Sequence, residues 1–529
     1  MADLLTFIEN KRKIVVFLFF AVFLGVGLCA FEDYGVSWDE YFQRNIGNMS
    51  LDYVLKGDKT LLASADRHYG CIFEIFLVAL ERGLHLTGRN GAVIFVRHLI
   101  NFLLFFMGVI FFYRLCRYRF QNWKTGLLGS LFLILSPRIF ADAFYNSKDL
   151  PFLSFFIIAV FTLIRFIDKP TVFRAWIHAL ICALLIDIRI GGLLVPLFTF
   201  IIVLADIFVL RPSRANTVRS LVRFLWFVLF WLLMAVLFWP FLWKDPWGNF
   251  REALQFMLHF KGFPGVVVYL GHHVPIGYLP WHYIPVWIGI STPLVYSAFG
   301  LIGVLSAVCA CIPHPVRFYQ DRKYDLLFLG WFLLPPLTAM ICRSSLYDGW
   351  RHMYFIYPSM LIFSLIGLRF VFGALRKKLQ GTLYQAARGA LITAVAFNLL
   401  HVAVFMAVNH PFQNVYFNIL AGLNREEIKN KFELDYWGLS YRKALEYIVK
   451  NDPADQIRIC AANAPAWFNA DLLPVRDRRR LFFVFHPEQA KYFLTNFRLH
   501  EMDYPCKNEF FSIKVEGVKI MVVYKLRPS

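Results

Sequence analysis

"KRKIVVFLFFAVFLGVGLCAFEDYGVSWDEYF" (residues 11–42) decides how the rest of the chain is read. A basic triplet leads into a long apolar run, and an acidic pair, Asp39 and Glu40, follows between a Trp and a Tyr. The run is long enough to span a bilayer, which takes roughly 17–25 mostly apolar residues. "KRK" holds its start on the cytoplasmic side. A signal peptide is the other reading of such a start. The apolar stretch is long for that, and "GLCA" places a large Leu at the −3 position of a cut after Ala30. The acidic pair then falls where the membrane meets water on the far side.

The same pattern repeats along the chain. Of its 529 residues, 58% are apolar, 18% aromatic and only 17% charged. Soluble domains run at about 45–50% apolar and about 25% charged. A soluble core of this composition would expose large apolar patches. Eleven spans are expected, at about 14–31, 92–112, 126–144, 150–167, 175–190, 192–210, 221–242, 284–311, 325–342, 353–372 and 389–408. The fifth and sixth are divided only by "DIRIGG" (187–192), whose glycines and Asp/Arg pair favour a tight turn. The net charge of +20 does not point to nucleic acid, because the basic residues cluster between apolar runs. Alternate loops carry them: 113–125, 165–174, 211–223, 313–323 and 369–388. This puts the N-terminus inside and the C-terminus outside.

The expected fold class is therefore an α-helical polytopic membrane protein with large outside loops and a small C-terminal α/β domain. Residues 1–408 form the membrane module, with outside loops at 32–91 and 243–283, and residues 409–529 form the outside domain. Strand-like pieces there are "IRICAA" (457–462), "LFFVF" (481–485) and "GVKIMVVYKL" (517–526). Nine Cys are scattered without CxxC or zinc spacing. Cys460 and Cys506 share the outside region and are candidates for a pair.

Ionisable residues at membrane depth are expensive and usually functional. Four outside clusters hold them. In the first, Asp39 and Glu40 begin a helix-like stretch with Arg44 on the face of Glu40; ordinary surface charge on an interfacial helix is the plainer reading. In "ADRHYGCIFE" (65–74), Asp66 fits an N-cap. Arg67 there is either a phosphate ligand or an interface residue with its head in water. In "AFYNSKDLP" (143–151), Asp149 sits at a helix start, where the helix dipole alone favours a carboxylate. In "RSSLYDGWRHMYFIYP" (343–358), Arg351 and His352 open a span from outside, against both dipole and topology. Such an Arg needs an anion, and its planar fork suits phosphate. The run "LGHHVPIGYLPWHYIP" (270–285) adds His272, His273 and His282 among aromatics, which reads more simply as the interfacial belt than as a metal site.

Carboxylates, phosphate-matching Arg groups and aromatic walls on one face suit attack of an acceptor hydroxyl on a lipid-phosphate-linked group. A carboxylate takes the proton and cations hold the departing phosphate. Several stretches, in order, also resemble the dolichyl-phosphate-mannose–protein mannosyltransferase-like family of GT-C polytopic glycosyltransferases. They are "WDEYF", "DRHYGCIFE", "SPRIFADAFYNSKDLPFL", "PWHYIPVWIGISTP", "YDGWRHMYFIYP", "HPFQNVYFNILAG" and "FELDYWGLSYRKALEYI". The resemblance implies an inverting transfer from a polyprenyl-phosphate sugar to a hydroxyl on protein, glycan or lipid. It implies Asp39 as general base, Glu40 as its neighbour and Asp149 as a second acid. Arg67, Arg351 and His352 would hold the donor phosphate, and His68, Tyr69, His282 and Tyr283 would line the substrate site. A divalent ion is an open cofactor, since its use varies within the GT-C class. The "DRHYG" loop departs from the aminoarabinose transferases of lipid A, and the outside segments are too short for a β-trefoil. The resemblance therefore points to a bacterial inner-membrane enzyme using undecaprenyl phosphate, with its C-terminal domain in the periplasm. A ligase or polymerase of lipid-linked glycans and a transporter of lipid-linked sugar are the competing readings.

Overall fold

In a computed structural model, described over residues 11–258, 265–500 and 502–526, the chain is a helical bundle capped at one end by a small sheet. The expected loop 243–283 and the C-terminal region each include a few residues outside those described. Nine helices among the described residues are long and apolar enough to cross a membrane, or ten if one bent pair counts as a single span. The two departures from the expected eleven have local causes. The segment expected at 126–144 breaks into α5 (Trp123–Ile134) and α6 (Pro137–Tyr145), bent by 69°. Pro137 disfavours helix at Ser136 and restarts it at the first helical position. The segment expected at 175–190 is a helix, Val172–Ile188, of 17 residues. It ends before Arg189, which is extended at φ −150°, and a 3₁₀ turn at Ile190–Leu193 leads into the next span.

The elements that carry the site follow in order. α1 (Arg12–Ala30) leads into α2 (Glu40–Lys56), α3 (Ile72–Gly83) and α4 (Gly91–Phe120), all before the bent pair α5–α6. After that pair come α7 (Asp149–Asp168) and α8 (Val172–Ile188). Asn90 caps α4 by accepting from Val93 N at 3.1 Å, and Asn122 caps α5 by accepting from Thr125 N at 3.0 Å. Later spans include α9 (Leu294–Cys311) and α10 (Tyr357–Lys378), which the 3₁₀ turn Arg351–Ile356 precedes. α9 and α10 pack backbone to backbone. A Cβ on Gly303 would meet Phe363 O at 1.9 Å, and one on Gly367 would meet Phe299 O at 2.0 Å. Small residues at such crossings let membrane helices approach closely. Aromatic rings fill the centre: Phe144 stacks on Phe102 and on Tyr34, with centroids 5.2 and 4.6 Å apart.

Beyond a last span ending at Val408, a five-stranded sheet forms. Its strands are β1 (Ile457–Ala461), β2 (Leu481–Phe483), β3 (Tyr492–Thr495), β4 (Glu509–Val515) and β5 (Val518–Lys525), in the order β2-β1-β3-β5-β4. β1 is parallel to both neighbours, and the other pairs are antiparallel. Parallel strands need a crossover, and residues 462–480 supply one carrying the short helix Pro465–Ala470. The helix Tyr441–Asn451 covers the sheet with Tyr441, Ala444, Leu445 and Ile448, one face at helical spacing. Cys460 and Cys506, the candidates for a pair, are both free thiols.

Candidate active site

The site is built where α2 and α7 begin, α8 ends, and the 3₁₀ turn Arg351–Ile356 leads into α10. Arg351 lies at its centre, 2% exposed. Its Nη1 donates to Asp39 Oδ2 at 2.9 Å and to Asp149 Oδ2 at 3.1 Å. Its Nη2 lies 3.3 Å from Asp348 Oδ2. The rings of Trp437 and Tyr347 flank the guanidinium, with centroids 4.7 and 4.9 Å away. The Arg at this helix start therefore has anionic partners, three protein carboxylates.

Asp149 is not the cap of its own helix. Asn146 Oδ1 takes that place, accepting from Asp149 N at 2.8 Å, while Asn146 Nδ2 donates to Asp149 Oδ2 at 2.9 Å. This leaves the Asp149 carboxylate for Arg351 and for Arg189, which pairs with its other oxygen. Beside them, Lys148 Nζ sits 3.6 Å from the centre of the Tyr69 ring. Withdrawal from water, reinforced by the nearby Arg189 guanidinium, pushes Lys148 down to about 7. Burial raises the Tyr69 phenol, which feels Arg189, Asp39 and Arg351. Three nitrogens of this cluster, Arg351 Nε, Arg189 Nε and His352 Nδ1, are buried without a hydrogen-bond partner among the described residues. Buried polar atoms are seldom left so in native proteins.

The other expected residues lie elsewhere. Glu40 is 1% exposed and turns back on its own helix start: its Oε2 accepts from Ser37 N at 2.6 Å and its Oε1 pairs with His98 Nε2 at 2.8 Å. That is the reciprocal half of a capping box, and it orders the turn that presents Asp39. Arg44 pairs with Glu81 instead of Glu40. Arg67 and His68 both hold Glu252, at 2.9 and 2.7 Å. Asp66 does not cap α3. Asp187, from the end of α8, accepts from Cys71 N and Ile72 N at 3.2 and 2.8 Å. Gly70 permits that approach, since a Cβ there would meet Asp187 O at 1.2 Å. His282 pairs with Tyr269 OH at 2.6 Å, and Tyr283 packs on Tyr269 and Trp287.

Sequence reading thus finds Asp39, Asp149, Arg351, His352 and Tyr69 in one place and misses Lys148, Arg189 and Asp348. Arg189 had a signal, a charged pair at a break between two spans. Among the described residues no three His, Cys, Asp or Glu side chains form a metal-binding group. Arg351 stands between Asp39 and Asp149.

The C-terminal region grips the segment before Asp39. Asn469 Oδ1 accepts from Val36 N and its Nδ2 donates to Val36 O, both at 2.9 Å, and Tyr41 OH donates to Asp471 Oδ2 at 2.8 Å.

No protein-family model matches the chain. No curated protein matches it either. Among solved structures, it is similar to the archaeal oligosaccharyltransferase AglB from Archaeoglobus fulgidus in complex with an inhibitory peptide and a dolichol-phosphate. Identity is 12%, with 87% of this chain and 66% of that one covered and a TM-score of 0.44. The apo form of the Archaeoglobus fulgidus oligosaccharyltransferase gives 13% identity, 86% and 61% coverage and a TM-score of 0.45. Its complex with Zn and sulfate gives 11%, 88%, 64% and 0.44. The chain spans just under two thirds of the length of these structures.

Proposed function

We propose that the protein is a membrane glycosyltransferase that moves a sugar from a polyprenyl-phosphate donor to a hydroxyl acceptor on the non-cytoplasmic face, with inversion. The observation that carries this reading is the cluster of nitrogen groups around one exposed carboxylate. Arg351, Arg189, Lys148 and His352 surround Asp39 and Asp149, and three of their nitrogens have no hydrogen-bond partner among the described residues. A dianionic or monoanionic phosphate supplies what those donors lack.

In the proposed step, Asp39 accepts the proton of the acceptor hydroxyl as its oxygen bonds to the anomeric carbon. The carbon–oxygen bond to phosphate breaks on the opposite face, and its electron pair leaves with the phosphate. Arg351, Arg189 and Lys148 hold that charge where it develops. His352 completes the phosphate site, and Asp149 keeps Arg351 and Arg189 together. Glu40 shapes the turn that presents Asp39. Arg67 and His68 hold Glu252, Tyr69 steadies Lys148, and His282 and Tyr283 are proposed to line the substrate site. The carrier proposed is undecaprenyl phosphate in a bacterial inner membrane, with the sheet in the periplasm.

The test is sugar transfer by purified protein, wild type against Asp39→Asn. Turnover should fall by about 10²–10⁴, the contribution of a positioned general base, with donor binding kept. Unchanged turnover would remove Asp39 from that role. Wild-type protein that binds and consumes no polyprenyl-phosphate sugar would defeat the transferase reading.

A further inference from the structure

Arg351 is held from two sides. Nη1 faces Asp39 and Asp149, and Nη2 faces Asp348. Asp348 is itself shared. Its Oδ1 accepts from Arg498 Nη2 at 2.9 Å, 150 residues away along the chain. Arg498 lies in the loop after β3, so its guanidinium comes from the C-terminal sheet. It also lies 5.2 Å from the ring centre of Trp38, the neighbour of Asp39, and its Nη1 donates to Tyr436 O. The charges alternate along one line: Asp39, Arg351, Asp348, Arg498.

The backbone at both ends of the outer link is unusual. Asp348 has φ +56°, and Phe497 and Leu499, on either side of Arg498, have φ +58° and +56°. Side chains other than glycine rarely hold this left-handed region unless the surroundings enforce it. Asp348 and Arg498 are thus placed facing each other by loops that would relax to other shapes alone.

We propose that Arg498 is a positioning residue, through which the C-terminal sheet holds Arg351 in register with Asp39 by way of Asp348. With Arg498 present, Asp348 divides its charge between two guanidinium groups. Without it, Asp348 has one cation left and draws the Arg351 fork toward itself, away from Asp39. The outcome for catalysis rests on the transferase reading; the pairing of Arg351 with Asp39 does not.

The experiment uses the full chain in lipid nanodiscs, with Arg498→Gln and Arg498→Lys beside wild type. Gln keeps a donor for Tyr436 O and removes the charge; Lys keeps the charge and loses the fork. Asp39 is labelled with dicyclohexylcarbodiimide, which reacts with protonated carboxyls, and the label is counted by mass spectrometry. Labelling of Asp39 should rise about tenfold in Arg498→Gln, as for a carboxylate deprived of a paired cation. In Arg498→Lys it should rise only about twofold. In the transfer assay kcat/KM for the polyprenyl-phosphate sugar should fall about tenfold to a hundredfold in Arg498→Gln, as for a misplaced reacting group, with most of it regained in Arg498→Lys. Asp39 labelling equal to wild type in folded Arg498→Gln protein overturns the proposal, even if its thermal midpoint drops. Should that variant not fold, Arg498→Lys decides alone, and wild-type labelling there overturns it. If wild type transfers no sugar, the transferase reading fails and the labelling still decides the position of Arg351.

Discussion

Three carboxylates share Arg351, and one of them is open to solvent. The Asp39 side chain is 33% exposed, against 1% for Asp149 and 5% for Asp348. That exposure supports Asp39, not the other two, as the proposed base. Lys148 gives the same site a pH signature. Its ammonium is pushed down to about 7, so it loses its charge as pH rises through neutrality. Donor kcat/KM reports groups of the free enzyme, and for wild type it should fall above about pH 7. In Lys148→Arg, whose guanidinium stays protonated, it should stay level to about pH 9. The same decline in both proteins would assign the titration to another group. Asp39, Asp149 and Arg351 were legible from sequence because each is a charge set against an apolar or dipolar context. Lys148 was not, since one Lys in a short polar turn looks like any solvated charge until Tyr69 is seen beneath it. Asp348 and Arg498 were hidden for another reason: their pairing is a contact between distant loops, which periodicity does not encode.

At the scale of elements, α2, α3 and α4 are bound by charge as well as by apolar packing. Arg97 of α4 pairs with Glu81 at 2.9 Å and with Glu74, while Arg44 of α2 meets the other oxygen of Glu81 at 2.7 Å. Ser147 donates to Glu74, so the network also touches the turn that carries Lys148 and Asp149. Removing one member of such a set leaves buried charge unmatched. Arg97→Ala should lower unfolding stability by about 3–5 kcal/mol. Arg97→Met together with Glu74→Gln and Glu81→Gln should recover much of that loss. Denaturant unfolding in detergent measures both, and equal losses would show that packing, not charge, holds these helices. The long spans were legible at this scale because apolar length is sufficient evidence for them. The break at Ser136–Pro137 was missed: the apolar run continues through it, and only the Pro marks the bend. In the sheet, β1, β2 and β5 were visible as apolar strands, whereas "YFLT" at β3 is too short to stand out and β4 mixes charge with apolar residues.

For the molecule as a whole, the bundle and the sheet meet through buried charge. Glu433 lies on that boundary, its Oε1 4.0 Å from Arg498 Nε. Burial raises it from 4.5 to about 8, with Arg498 opposing the shift and Asp348 adding to it. The folded protein therefore keeps a proton there that the unfolded chain releases above its ordinary value. This contribution to stability is full below pH 4.5 and is lost as pH rises through about 8. Glu433→Gln should remove that loss, giving a flatter thermal midpoint between those values than wild type shows. Parallel curves for the two proteins would refute the assignment. The general architecture was legible from composition and apolar runs alone, but the way the sheet seats on the bundle was not, because it depends on side chains such as Asn469 gripping a backbone 433 residues away. That long reach bears on biosynthesis. As the ribosome delivers the chain, the first spans are threaded into the bilayer while Asn469 and Arg498 are still untranslated. Through most of synthesis the turn before Asp39 therefore waits without the side chain that will grip it.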